Sequence, residues 1–462
     1  MQTYKHRIGM LISAEYINPH GGTGACLQSL SQLLQKNNCI VDIIIDRIPH
    51  DAVKTNYIQE LRESGVNIVS PENPLSYDDY NNTHCYRDAI CGEQIVNFRR
   101  AIMRSFTTTI YSLFVSHIHS ATVALAGLDI QQQIPCVIYT HDYNTVFKHI
   151  KDKNYIYQPS LKEFNKLMFQ FPNFILGTQT ERNKKELGAT AYHLPLPLPA
   201  PQLLDIIPKQ QEGVLFIGRW ESRKNPQTYI NLIKETNLPA RVLCSPNSKK
   251  AFEKAFKENN ITNYTFALDV NSKIQKRGYF TQEEKANFIA HSKVSFLPYF
   301  WESYGLGVLE SMTQMPVVLL KKNEWHTNFN SKAIYLADDF EHAVELVKIL
   351  YSSPQQNAKE QVAQDEEQKW NNWKEVLQIK NKSTTKFGSR FSKHNNIYHT
   401  EAIAKLHRKM GIEDIHSILN SQLQYTITYT DDDAWYTQNN TPPEQKNKIM
   451  GGEALRNWAK GL

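Results

Sequence analysis

The chain has 462 residues, 41% of them hydrophobic and 21% charged, with a formal net charge of +6. That is the composition of a soluble globular protein too long for one ordinary core, so two domains with an appendage are expected. The mild positive charge suits a polyanionic partner or a nucleotide ligand and establishes neither.

The six cysteines, Cys26, Cys39, Cys85, Cys91, Cys136 and Cys244, form no C-x-x-C pair and no zinc spacing. Several lie in apolar runs such as "IPCVIY", so buried free thiols in a reducing compartment are expected. The opening "MQTYKHRIGMLIS" holds too short an apolar stretch for a signal peptide, and no apolar run approaches a membrane span. A cytoplasmic location is expected.

In chain order, "RIGMLIS" reads as a buried strand and "NPHGGTGA" as a turn-rich loop. "CLQSLSQLLQK" sets Leu27, Leu30, Leu33 and Leu34 at helical spacing, and "IVDIIID" is a second buried strand. Apolar strands alternating with amphipathic helices predict a parallel sheet. More strands are expected at "SLFVS", "IPCVIYT" and "FILGT", and a helix at "QTERNKKELG". The Pro-rich "HLPLPLPAPQ" fits inside neither helix nor sheet and reads as a linker. The pattern then restarts with strands "GVLFIG" and "ARVLCS" around the helix "NPQTYINLIKET". In "FTQEEKANFIAHS", Thr281 and Glu284 form a candidate capping box. Strands "VSFLPY" and "PVVLL" follow, with "WESYGLGVLESM" between them, and "EEQKWNNWKEVLQIK" reads as a helix.

The expected fold is therefore α/β, with two doubly wound, Rossmann-like domains facing across a cleft and a C-terminal appendage. The N-terminal domain spans 1–195, the linker 196–212 and the second domain 213–350. A helical return segment spans 351–379, and a basic, polar appendage spans 380–462. Ligands of such sheets bind beyond the carboxyl ends of the strands.

Two segments occupy such strand ends. "WESYGLGVLESM" crosses from a strand into a short helix expected over about 306–314. Gly305 and Leu306 then stand at the helix N-terminus, where backbone N–H groups and the positive dipole end suit a phosphate or a sugar hydroxyl. Glu302 precedes that helix and can accept hydrogen bonds from hydroxyls, and Glu310 lies one turn inside it. A loop acid and a helix acid with no further role are the plain alternative. The other segment is "FIGRWESRKNPQTYI", which places Arg219, Arg223 and Lys224 after a strand. Arg219 suits bidentate grip on a phosphate and Lys224 adds a point charge, whereas the plain reading is a solvated basic loop.

"GRWESRK" resembles the G-R-x4-K signature of family-four retaining glycosyltransferases of the GT-B architecture. "ESYGLGVLESM" resembles their E-x7-E signature, and "HGGTGA" their N-terminal glycine loop. The resemblance covers roughly residues 6–350 and departs at Asn225, where the family usually has Gly; only a slight effect on the turn is expected. It implies a nucleotide-diphosphate sugar donor, a UDP-sugar, with Arg219 and Lys224 on the diphosphate and no cofactor or metal required. It also implies Glu310 on the ribose, Glu302 on sugar hydroxyls, and the amides of Gly305 and Leu306 on sugar and phosphate. Gly21, Gly22 and Gly24 would let their loop approach the diphosphate.

On the acceptor side, "CVIYTHDYNTVF" places His141 and Asp142 at a strand tip. Asp142 suits a general base and His141 a contact to the transferring sugar; a turn Asp capping the strand end is the alternative. This stretch and "SHIHSATVA" loosely resemble segments of T-even phage DNA α-glucosyltransferases, which glucosylate hydroxymethylcytosine in duplex DNA. "TDDDAW", Asp431 to Asp433, has the D-x-D spacing of a metal site but lies far down the tail and reads as a polar loop. The run Lys380, Lys382, Lys386, Arg390, Lys393, Lys405, Arg408 and Lys409 is interleaved with Phe387, Phe391 and Tyr398. It reads as either a solvated surface or a polyanion clamp, with Arg99, Arg100 and Arg104 as its extension.

The expected function is transfer of glucose or a pentose such as arabinose, with retention, to a hydroxyl acceptor. Hydroxymethylcytosine in phage DNA is the preferred acceptor, with the protein then in the host cytoplasm. A bacterial cell-surface glycan or lipid-linked acceptor is the alternative. A non-catalytic nucleotide-sugar or DNA-binding protein is the reading from another class.

Overall fold

The alternating apolar runs fold as two parallel sheets. The computed structural model describes residues 6–19, 22–74, 92–106, 111–126, 134–140, 174–187, 191–322, 324–354 and 356–387. The first sheet holds β1 (His6–Ile12), β2 (Cys39–Ile45), β3 (Asn67–Val69), β4 (Leu113–Ser116), β5 (Cys136–Thr140), β6 (Phe174–Thr178) and β7 (Tyr192–His193). Their order is β3-β2-β1-β4-β5-β6-β7, with every neighbouring pair parallel. Helices α1 (Gly22–Lys36), α2 (Ala52–Glu63), α3 (Gly92–Phe106), α4 (His119–Ala126) and α5 (Glu181–Leu187) connect them. Leu27, Leu30, Leu33 and Leu34 of α1 are buried, as their helical spacing requires.

The second sheet holds β8 (Val214–Ile217), β9 (Ala240–Leu243), β10 (Tyr264–Phe266), β11 (Val294–Phe296), β12 (Val317–Leu320) and β13 (Ile334–Ala337), in the order β10-β9-β8-β11-β12-β13. Again every neighbouring pair is parallel. All residues of β8 and β12 are buried, which is why these strands read as unbroken apolar runs. Its helices are α6 (Pro226–Thr236), α7 (Pro246–Glu258), α8 (Ser272–Arg277), α9 (Gln282–Ala290), α10 (Leu306–Met312) and α11 (Phe340–Ser352). The capping box at the head of α9 forms: Thr281 Oγ1 accepts the Glu284 N–H (3.2 Å), and the Glu284 carboxylate accepts the Thr281 N–H (2.9 Å). The last described helix, α12 (Lys359–Phe387), covers most of the expected return segment.

The chain divides into two compact units. The first takes the described residues up to Ile17, from Leu33 to Leu194, and from Asn372 on. The second takes Asn18–Gln32 and Pro195–Asn371. Most of α1, expected with the N-terminal domain, therefore groups with the second unit, where Gln32 Nε2 donates to Gln282 Oε1 (2.8 Å). The segment expected as a linker begins as a packed chain: Leu194, Leu196 and Leu198 are at most 2% exposed. Within the first unit, Tyr139 Oη donates to the Leu194 carbonyl (2.7 Å), and Trp373 stacks on the Tyr139 ring (5.8 Å).

Cys26, Cys39, Cys136 and Cys244 are buried free thiols. Burial pushes Cys39 up to about 11 and Cys244 up to about 12. Cys85 and Cys91 lie outside the described residues. No described helix is long and apolar enough to cross a membrane.

Candidate functional site

In the second sheet the strand order reverses between β8 and β11. Ligands of doubly wound sheets bind at such a reversal, beyond the carboxyl ends of the strands. The two loops that leave this point are residues 218–225 after β8 and 297–305 after β11. They are the two segments singled out by sequence.

The first loop is built to turn sharply. Gly218 has φ +155°, a region that side chains other than glycine's rarely permit. The Trp220 N–H donates to Ser248 Oγ (2.9 Å), and its indole meets Phe252 edge-on at 4.8 Å. A single 3-10 turn, Ser222–Lys224, ends at Asn225, whose φ of 51° and ψ of 50° are left-handed. Asparagine tolerates that conformation better than other non-glycine residues, which explains how it stands where the family pattern has Gly. Its side chain also joins the two loops, since Nδ2 donates to the Pro298 carbonyl (3.2 Å). Thr228 Oγ1 donates to Asn225 Oδ1 (2.9 Å), and the Phe300 N–H donates to the Arg223 carbonyl (2.8 Å).

Lys224 and Glu302 meet in an ion pair, each side chain 14% exposed. The Lys224 ammonium also sits 3.9 Å from the centre of the Tyr299 ring. Burial pulls this ammonium below the ordinary lysine range, with Glu302 acting the other way. Tyr299 is itself fixed: its hydroxyl donates to the Ile217 carbonyl, and its own carbonyl accepts from Trp325 Nε1 (3.0 Å). Arg219 and Arg223 stay more open, at 54% and 41% side-chain exposure, and both lean on Glu221 at 3.3 and 2.6 Å. The Arg223 guanidinium lies 5.9 Å from the Trp301 ring.

Gly305 has φ +93°, and a Cβ there would stand 2.9 Å from Phe329 Cε2 and 3.2 Å from Trp325. Only glycine fits. Its carbonyl accepts the N–H groups of Val308 (2.9 Å) and Leu309 (3.1 Å), so α10 starts at Leu306 as expected. The amides of that first turn precede the helical ladder. Glu310 differs from Glu302. It is 1% exposed, and its Oε1 lies 2.5 Å from Lys285 Nζ on α9. Burial raises its carboxyl above the ordinary range, with Lys285 opposing.

The remaining expected residues separate. A Cβ on Gly24 would lie 2.0 Å from the Asn18 carbonyl oxygen, whereas one on Gly22 meets nothing within 4 Å. Gly21, His141 and Asp142 lie outside the described residues, as do Arg390, Lys393 and Asp431 to Asp433. Lys380, Lys382 and Lys386 fall on the last turns of α12. In "SHIHSATVA", Ser116, Ser120 and Thr122 are buried, and the Ser116 and Thr122 hydroxyls bond each other at 2.8 Å.

Arg99 is a correction. Expected on a basic surface, it is 2% exposed and does not present its charge there. Arg100 Nη1 donates to the Asn73 carbonyl (2.5 Å) and Arg104 Nη1 to the Ser70 carbonyl (3.1 Å), so both are engaged with one loop. Among the described residues no group of three or more His, Cys, Asp or Glu is arranged to hold a metal ion.

Sequence reasoning missed Tyr299, Trp325 and Lys285. Tyr299 and Trp325 look like ordinary core aromatics. Lys285 looks like one more charge on a surface helix, and the capping box marked its helix without marking its partner.

No family model matches the chain, and no curated protein matches it in sequence. Solved structures do match. A sucrose-phosphate synthase from Thermosynechococcus elongatus is 13% identical, with 83% of this chain and 100% of that one covered and a TM-score of 0.55. Anabaena HepE, in complex with UDP and glucose, is 11% identical over 82% and 100% of the two chains, with a TM-score of 0.56. A variant of S. aureus TarM, in complex with fondaparinux, alpha-GlcNAc-glycerol and UDP, is 12% identical over 81% and 100%, with a TM-score of 0.56. At these identities the shared property is the fold, and that fold is GT-B: two Rossmann-like domains of parallel sheet in one chain.

Proposed function

We propose that the chain is a retaining glycosyltransferase that moves a sugar from a UDP-sugar to a hydroxyl acceptor. One observation carries this reading. The loops after β8 and β11 bring Arg219, Lys224, Glu302, Gly305 and Leu306 to the switch point of one sheet, with Lys224 and Glu302 in contact. HepE and the TarM variant, of the same fold, are in complex with UDP.

In this reading Arg219 and Lys224 meet the diphosphate and neutralise the charge that develops as the sugar–oxygen bond breaks. The ammonium is already desolvated, which strengthens its interaction with an anion. Glu302 accepts from hydroxyls of the transferring sugar, and Glu310 is assigned to the ribose. The amides of Gly305 and Leu306 donate to sugar and phosphate. Gly22 and Gly24, which stand in the first turn of α1 and not in the loop expected from sequence, are assigned with Gly21 to the diphosphate, and His141 with Asp142 to the acceptor.

Two acceptors compete, hydroxymethylcytosine in duplex DNA and a saccharide or polyol hydroxyl of a glycan. The burial of Arg99 removes one cation from the basic surface on which the DNA reading drew and so favours the glycan class, while Arg104 stays 53% exposed. The test incubates the protein with UDP-sugars and either hydroxymethylated duplex DNA or a panel of glycan and polyol acceptors. Transfer to the second group alone is expected. Transfer to DNA would reverse the acceptor assignment, and neither donor binding nor donor turnover would refute the enzyme reading.

A further inference from the structure

One side of α12 carries Val362, Glu366, Lys369, Trp373 and Val376 at spacings of three and four, the stripe that a helix turns toward a core. Val362, Trp373 and Val376 are fully buried, yet an acid and a base occupy the middle of the stripe. Lys369 is 5% exposed, and a lysine buried to this degree needs compensation by defined partners.

Those partners lead to the donor loop. Lys369 Nζ donates to Glu366 Oε1 (2.5 Å), which also accepts the Leu198 N–H (2.9 Å). The Lys369 ammonium also acts electrostatically on the Tyr304 hydroxyl. The Tyr304 hydroxyl donates to the Leu196 carbonyl (3.3 Å), with the tyrosine 8% exposed. Tyr304 lies between Glu302 and Gly305. The same loop and helix are tied to both passing segments elsewhere: Gln314 Nε2 donates to the Leu203 carbonyl, and the Ala358 N–H to the Met312 carbonyl (2.7 Å).

We propose that Tyr304 is a positioning residue for the donor site: its hydroxyl, with Lys369 and Glu366, fixes the Glu302–Leu306 segment against residues 196–198. A phenyl ring would fill the same space, so the hydroxyl is what specifies the loop's place. The inference rests on the donor-site reading above.

The test compares wild type, Tyr304→Phe, Lys369→Met and a control, Val347→Ala, which opens a small cavity in α11 away from the loop. UDP affinity is measured by calorimetry and thermal midpoint by scanning. Donor KM and kcat are measured separately. Tyr304→Phe and Lys369→Met are expected to weaken UDP binding about five- to tenfold and raise donor KM by a similar factor, the scale of one or two lost hydrogen bonds. Val347→Ala lowers the midpoint and leaves UDP affinity unchanged. Tyr304→Phe with wild-type affinity and KM would overturn the inference, as would an equal loss of affinity in Val347→Ala. Wild type without affinity for UDP would overturn the donor-site reading itself, and this inference with it.

Discussion

Removing one charge from the Lys224–Glu302 pair separates what it does for stability from what it does for ligand binding. Lys224→Met leaves the Glu302 carboxylate at 14% exposure without its cation. Breaking a buried pair from one side costs roughly 3–5 kcal/mol, and the remaining exposure argues for the lower end, about 3 kcal/mol. At about 2–4 °C per kcal/mol for a unit of this size, the midpoint falls by ~6–12 °C. Glu302→Gln costs less, because the amide oxygen still accepts from Lys224 and the Tyr299 ring still faces the ammonium. The double variant removes both charges, so its midpoint returns to within about 3 °C of wild type. Function follows a different pattern if Lys224 holds the diphosphate. A charge-assisted contact contributes about 1.5–3 kcal/mol, so UDP affinity falls roughly 10- to 100-fold in Lys224→Met and stays low in the double variant. Scanning calorimetry of the four proteins with UDP titrations completes the cycle. If affinity recovers together with stability, the pair is only structural. If the double variant is as unstable as the two singles added, the charges are not coupled.

Two further outcomes follow from single positions. Lys285→Met leaves the buried Glu310 carboxylate unpaired, so its already raised pKa rises further, and the variant loses about 3 kcal/mol near neutrality. A carboxyl whose folded pKa is raised loses stability as pH rises through that pKa, so the deficit in midpoint relative to wild type shrinks as pH falls from 8 to 5. A deficit independent of pH would assign the loss to packing instead. In the first turn of α1, Gly22→Ala is near neutral, whereas Gly24→Ala forces the Asn18 backbone aside and lowers the midpoint by several degrees. Equal behaviour of the two in a thermal scan would refute the close-approach argument.

The parallel strands were legible because burial on both faces writes them as continuous apolar runs. The helix of "LSQLLQK" was legible because one stripe faces a core. Short edge elements were not: β3 is three residues, one exposed and two half-buried, and β13 is four residues, mostly half-buried, so both apolar runs are too short to stand out. The proline-rich stretch was legible as non-helical, but its leucines gave no sign that residues 194–198 pack as a buried chain. Arg99 was misread because a basic triplet on a helix shows its charge in sequence and hides which of its faces is inward.

The site was legible to the extent that spacing fixes backbone placement. A strand, a tight loop and a short helix repeated twice must deliver both loops to the same edge of the sheet, so "GRWESRK" and "WESYGLGVLESM" meet however far apart they lie in the chain. Spacing does not say which charges are already engaged when they arrive. Glu302 and Glu310 look alike in the motif, yet one joins Lys224 beside an aromatic face at the loops and the other is sealed against α9 by Lys285. Tyr304 takes its hydrogen-bond partner from residue 196, a segment whose sequence gives no hint of the donor loop. Stability measurements on Lys285 and Tyr304 variants therefore report on contacts that no motif comparison can reach.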